Sequence, residues 1–282
     1  MANLKEKVLL VDCIITSWTA LHTSPEIKEA GSEKFECSDL FVIGKLYLIN
    51  PTGIRLVTSA ASKVRRFITT YALRFGNSYI LPISLYEPFM DEWRVVRKNF
   101  YDAVQEFVRQ YPRLINDAKQ SMGNLFNESL YPSQAELAER FSVSLDIMDF
   151  PSDPLQWHKH LNPAHAQELG AIFEDTLSRK LECMIEDAAS RVYTVLEKMI
   201  NTLSVEDKIF RNSLITNIQE CLDMLKHWNV TDNAIINGIA QRVQVILDNV
   251  PIEDLREVPE IRKTVVQETA KIAKDIADTF KF

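Results

Sequence analysis

Between Ile83 and Pro132 large apolar residues recur at helical spacing: Tyr86, Phe89, Trp93, Val96, Phe100, Val104, Phe107, Tyr111, Leu114, Ala118, Met122 and Leu125. Every step is three or four residues, so one face of a very long helix is aromatic and apolar. Such a helix is not stable alone in water and has to bury that face against other helices of this chain or of a partner. Ser84, with Glu87 three residues on, reads as its cap, in the pattern of a capping box. Pro112 falls inside the periodic run and predicts a kink or a break near Gln110. A second stripe runs from His165 to Leu203 through Phe173, Leu177, Leu181, Met184, Ala188, Val192, Leu196 and Met199. The two stripes suit antiparallel arms.

Strand signals are confined to the first part of the chain. Val8 to Trp18 is rich in β-branched residues, Leu40 to Ile49 alternates in part, and Phe141 to Ile147 alternates well and suits pairing with the first strand. Residues 23–38 read as a loop or short helix, and a helix is predicted from about Pro51 to Leu73, stopped by Gly76-Asn77. A short helix follows Pro132-Ser133. Phe150-Pro151-Ser152-Asp153-Pro154 is the clearest punctuation. The expected architecture is therefore α+β and predominantly α-helical, with long amphipathic helices and a small β-sheet in the N-terminal half. Residues 1–150 form an N-terminal α+β region and residues 151–282 a C-terminal helical region, with shorter helices at about 206–227, 232–248 and 258–280.

Seven glycines in 282 residues argue against a nucleotide-binding α/β fold, which needs glycine at several turns. The net charge of −7 argues against a protein that coats nucleic acid by charge alone. That charge is uneven: residues 51–100 carry eight basic and three acidic side chains, a balance of +5, which leaves −12 for the remainder. Cys13, Cys37, Cys183 and Cys221 are widely spaced, with no CxxC pair, and read as reduced, mostly buried thiols. No segment reads as a secretory signal or a membrane span, and the expected compartment is the cytoplasm of a bacterial host.

The basic segment supplies the candidate site. Lys63, Arg65, Arg66, Arg74, Arg97 and Lys98 are the residues expected to meet an anionic partner, the first four interleaved with Phe67, Tyr71 and Phe75. Charge beside aromatics can hold single-stranded nucleic acid, whereas the ordinary reading of such a segment is a solvated helix face with inward aromatics. His158, His160 and His165 cluster beside Trp157 but lack the further ligands a zinc site needs, and read as an interdomain loop. Asp91, Glu92, Asp102 and Glu106 could do acid–base work or be solvated, and no Glu-x-x-His pair completes a di-iron bundle. Cys183, between Leu181 and Met184, reads as core. There is no G-x-x-x-x-G-K-[ST], G-x-S-x-G or H-E-x-x-H. No metal or cofactor is expected, and the chain reads as no enzyme.

Short motifs add a resemblance. They are Leu-Val-Asp-x-x-Ile-x-x-Trp from Leu10 to Trp18, Leu81-Pro82, Phe-x-x-x-Tyr-Pro from Phe107 to Pro112, Gly123-x-Leu-Phe-Asn and Tyr131-Pro132. Further on come Phe210-Arg211-Asn212-Ser213-Leu214, Asn217 and Trp228-Asn229-Val230-Thr231-Asp232. The chain resembles an uncharacterised family of phage and bacterial mobile-element proteins, a domain of unknown function whose members look like genomic neighbours of MoxR-type AAA+ ATPases and of von Willebrand factor A proteins. The resemblance implies a non-enzymatic phage or mobile-element interaction protein, an accessory or adaptor to an ATP-driven remodelling machine. The alternative is a nucleic-acid-binding accessory factor in phage DNA processing that uses residues 55–98. An uncatalogued enzyme stands third. The apolar stripes further suggest a homo-oligomer, most simply a dimer.

Overall fold

The computed structural model describes residues 4–38, 40, 42–150, 160–205 and 209–281. Its strands are β1 (Val8–Thr16), β2 (Leu21–Thr23), β3 (Lys45–Tyr47), β4 (Leu73–Phe75), β5 (Ser78–Pro82) and β6 (Ser142–Asp149). Its helices are α1 (Pro25–Phe35), α2 (Arg55–Tyr71), α3 (Tyr86–Met122), α4 (Gln134–Glu139), α5 (Pro163–Leu203), α6 (Ser213–Trp228), α7 (Ala234–Asn249), α8 (Ile252–Glu257) and α9 (Pro259–Phe280). The fold is α+β and mostly helical. Among the described residues the sheet order is β4-β5-β1-β6, and β2 pairs with β3 in a separate two-stranded ladder. β1 and β6 are neighbours, as the alternation of residues 141–147 suggested.

By internal contacts the chain divides into two units. One comprises residues 1–12, 69–89 and 147–282, the other residues 13–68 and 90–146. In the first, β1 pairs antiparallel with β5, setting Val8 opposite Pro82 and Leu10 opposite Ile80. β4 and β5 form a hairpin, with Phe75 opposite Ser78. Its two-residue loop places Gly76 at φ +68, a conformation open to glycine and costly for β-carbon residues. Gly76-Asn77 thus turns a hairpin rather than only stopping a helix. α5 packs on α6, α9 and β4, α7 packs on α6 and α9, and α8 packs on α9. The apolar stripe of α5 is buried along Met184, Ala188, Val192, Leu196, Met199 and Leu203.

In the second unit the aromatic face of α3 is the core: Trp93, Phe100, Phe107 and Tyr111 are all at most 6% exposed. Trp18 sits edge-on to Tyr111 at 5.8 Å and tilted to Phe107 at 6.3 Å, and Phe141 meets Phe107 at 5.7 Å. Phe67 of α2 stacks on Trp93 at 6.0 Å. Trp93, Phe100, Phe107 and Tyr111 of the first stripe and Met184 to Leu203 of the second are thus buried against elements of their own units.

α3 runs through Pro112 as one helix, so of the kink or break expected there the break does not occur. Proline has no N–H, so the carbonyl of Val108, four residues back, loses its helical donor. The Gln134 side-chain amide, from the first turn of α4, donates to that carbonyl at 2.9 Å. α4 is itself fixed by a capping box between Ser133 and Glu136. The capping box expected at Ser84 does not form. Ile83–Leu85 is a 3-10 turn ahead of α3, with no side-chain cap bond, and the Ser84 hydroxyl lies 2.9 Å from His227 Nδ1.

Candidate functional site

α2 is an amphipathic helix whose inward stripe is Val57, Ala61, Val64, Phe67 and Ile68. Its other face carries Arg55, Lys63, Arg65 and Arg66, all exposed, among Ser59, Ser62, Thr58, Thr69 and Thr70. The helix has no acidic residue, so its four cations meet no carboxylate from their own helix. On α3, in the same unit, Arg97 and Lys98 are exposed as well. Lys98 is bonded to Asp102 at 2.6 Å, and Arg97 lies over the Tyr101 ring at 5.7 Å. The Phe67–Trp93 stack joins these two helices. Arg74 belongs to the other unit. Its Nε donates to the Gly76 carbonyl at 3.3 Å and its backbone N–H to Asp187 at 2.9 Å.

Two of the three aromatics of the basic segment are buried and Tyr71 is half-buried. Phe67 and Phe75 are each 3% exposed, and Tyr71 lies edge-on to Phe89 at 5.8 Å. What α2 presents to solvent is therefore mainly charge and hydroxyls, with Leu56 and part of Tyr71 beside them, and the Phe67 ring offers no face on which a base could stack.

The remaining candidates resolve into local structure. Asp91 holds Arg94, Asp102 holds Lys98, and Glu106 holds Arg109 and Gln110. The Arg109 and Gln110 donors keep the Glu106 carboxyl below its usual range. His158 and Trp157 lie outside the described residues. His165 sits in the first turn of α5, where its N–H donates to the Asn162 cap at 2.9 Å. Among the described residues no group of three or more His, Cys, Asp and Glu is placed to hold a metal, and no helix is long and apolar enough to cross a membrane. Cys183 is exposed, not core: it sits beside the buried Met184 on α5 but one step round the helix, on the solvent side.

Sequence reasoning missed the polar joint at the end of α2. Trp228 Nε1 donates to the Tyr71 carbonyl at 3.1 Å. Arg191 donates to the carbonyls of Thr69 and Ala72, pairs with Asp187 at 2.6 Å, and lies 4.7 Å from the Trp228 ring centre. These side chains supply donors to carbonyls that the end of the helix leaves without intrahelical partners. The signal for this in the sequence was Trp228 itself, the first residue of a short motif.

Other motif residues hold joints too. Trp18, Phe107 and Tyr111 form one aromatic cluster. The Tyr131 hydroxyl donates to the Leu48 carbonyl. Asn229 bonds to Asn233 and Asn237, and Asp232 takes φ +52 while accepting from Asn237. A family comparison matches residues 5–256 to the protein of unknown function family DUF3150. The chain belongs to DUF3150. No curated protein and no solved structure matches it. In this DUF3150 chain the short motifs thus describe a scaffold, and the exposed face of α2 stands apart from them as a surface with a distinct chemistry.

Proposed function

We propose that this DUF3150 protein is a non-enzymatic interaction protein, an accessory or adaptor to a AAA+ ATPase remodelling machine of the MoxR type, encoded by a phage or mobile element and acting in the bacterial cytoplasm. The exposed face of α2, with Lys63, Arg65 and Arg66 at its centre and Arg97 and Lys98 on the neighbouring helix, is its docking surface for an acidic patch of the partner. One observation carries this reading: a 17-residue helix with four cations and no carboxylate, in a chain of net charge −7. Exposed charge of one sign steers association with a surface of the opposite sign and sets its salt dependence.

The second reading is a nucleic-acid accessory factor using the same cations. It has the charge but few stacking faces, because Phe67 and Phe75 are buried and Tyr71 is half-buried. The test is recovery of the tagged full chain from its native host with and without nuclease. An ATPase that remains bound after nuclease supports the adaptor reading. Loss of all partners on nuclease treatment, together with DNA affinity that falls steeply with salt, overturns it in favour of the second.

A further inference from the structure

In the first unit a serine and a histidine far apart in sequence meet. Ser84 is the middle residue of the 3-10 turn Ile83–Leu85 that leads into α3, and His227 lies in the last turn of α6. Ser84 Oγ and His227 Nδ1 are 2.9 Å apart. Both residues are exposed, yet each sits on anchored backbone. Beside Ser84, the Ile83 N–H donates to the Lys7 carbonyl at 2.8 Å and Leu85 is 5% exposed. Beside His227, Trp228 is 5% exposed and its Nε1 donates to the Tyr71 carbonyl. The packing of the neighbours therefore holds the pair in place.

Ser84 also lines a hollow of about 390 Å³ together with Leu9, Ile83, Tyr86, Glu87 and Pro88. Leu9, Ile83 and Pro88 give it apolar walls with room for a short acyl chain. A serine hydroxyl is a weak nucleophile unless a base stands within about 2.6–3.2 Å to take its proton. His227 meets that distance, and in its Nε2–H tautomer Nδ1 is the acceptor. Among the described residues no carboxylate is bonded to the imidazole. The third group that orients the histidine of a hydrolase triad is thus missing, and the pair suits acyl donors whose leaving group departs readily. Glu87 in the lining favours neutral donors over anionic ones.

We propose that Ser84 is a modification site, an acyl acceptor that takes a short acyl group from a neutral activated ester or thioester. Ser84 Oγ attacks the carbonyl carbon of the donor while its proton passes to His227 Nδ1. The C–O or C–S bond to the leaving group then breaks, and the departing oxyanion or thiolate takes that proton from His227. The products are O-acyl-Ser84 and a free alcohol or thiol. The inference goes beyond the adaptor reading and uses no residue of the α2 surface.

The test treats the full chain with p-nitrophenyl butyrate and reads nitrophenol release and the mass of the digested peptides. Expected is a burst of about one equivalent, with the butyryl group on Ser84. Ser84→Ala should abolish the burst. His227→Gln keeps a hydrogen-bonding side chain but no base, and should slow the burst roughly a hundredfold. Added imidazole should restore part of the rate in His227→Ala, which a purely structural role would not allow. Both positions are exposed, so the helical circular dichroism should be unchanged in each variant. Lys63→Glu with Arg66→Glu should acylate at the native rate, which separates failure of this site from failure of the α2 surface. A label spread over lysines, or a native burst in Ser84→Ala or in His227→Gln, would overturn the proposal. Release that continues past the burst and needs both residues would support the reactive serine and overturn the non-enzymatic reading of the chain.

Discussion

Arg191 joins more of the chain than any motif suggested. Its partners Thr69 and Ala72 are 122 and 119 residues away in sequence, so no local pattern could have placed it. Arg191→Ala strips donors from partly buried carbonyls and leaves Asp187 without its guanidinium, at a cost of roughly 2–4 kcal/mol in urea denaturation. Arg191→Lys should recover little, because one ammonium cannot reproduce a forked donor. A second expectation concerns thiols. Burial pushes Cys13 and Cys221 from their usual 9.0 up to about 11. Tyr111, buried in the aromatic cluster, is pushed to about 12 in the same sense. For such groups the folded value lies above the unfolded one, so their stabilising contribution is complete below about pH 9 and is lost as pH rises toward the folded value. Unfolding free energy in reducing buffer should therefore fall from about pH 9 to about pH 11, and less steeply in Cys221→Ala. An equal slope in both proteins would refute the assignment.

At the scale of elements, periodicity was readable and tertiary repair was not. The stripes of α3 and α5 stand out because burying one face of a helix forces a 3.6-residue rhythm on the sequence. The β4–β5 hairpin has strands of three and five residues, too short for alternation to show. Ser84 with Glu87 and Ser133 with Glu136 spell the same capping pattern, and only the second forms the box, since Ser84 falls inside a 3-10 turn. Pro112 spells a kink or a break, but the helix continues and Gln134 answers the carbonyl that the proline orphans. A double-mutant cycle measures that answer. Gln134→Ala should cost about 1 kcal/mol in the native background and close to nothing in Pro112→Ala, where the restored N–H satisfies Val108. Equal costs in both backgrounds would mean that the bond does not support the helix.

For the whole molecule, the candidate site was legible as charge and not as geometry. Composition located the basic segment, while in the structure Arg74 belongs to a different unit from the cations of α2 and α3, and Phe67 and Phe75 are buried. Of the stripes that suggested self-association, Tyr86 and Leu125 at the ends of the first are exposed while most of the rest is buried. Our proposal of a symmetric homodimer now rests on Phe35, Leu40, Ile43 and Tyr47, which are 72%, 84%, 77% and 54% exposed. Light scattering at micromolar concentration should give a dimer mass that Phe35→Ser with Ile43→Ser reduces to a monomer; a monomeric native chain would reject it. The adaptor reading itself meets its most direct test in Lys63→Glu with Arg66→Glu, expressed as a tagged full chain in the native host and recovered after nuclease treatment. Both positions are exposed, so the melting temperature should be unchanged. The native chain should retain an ATPase partner and the charge-reversed chain should lose it. Undiminished recovery of that partner by the charge-reversed chain would contradict it.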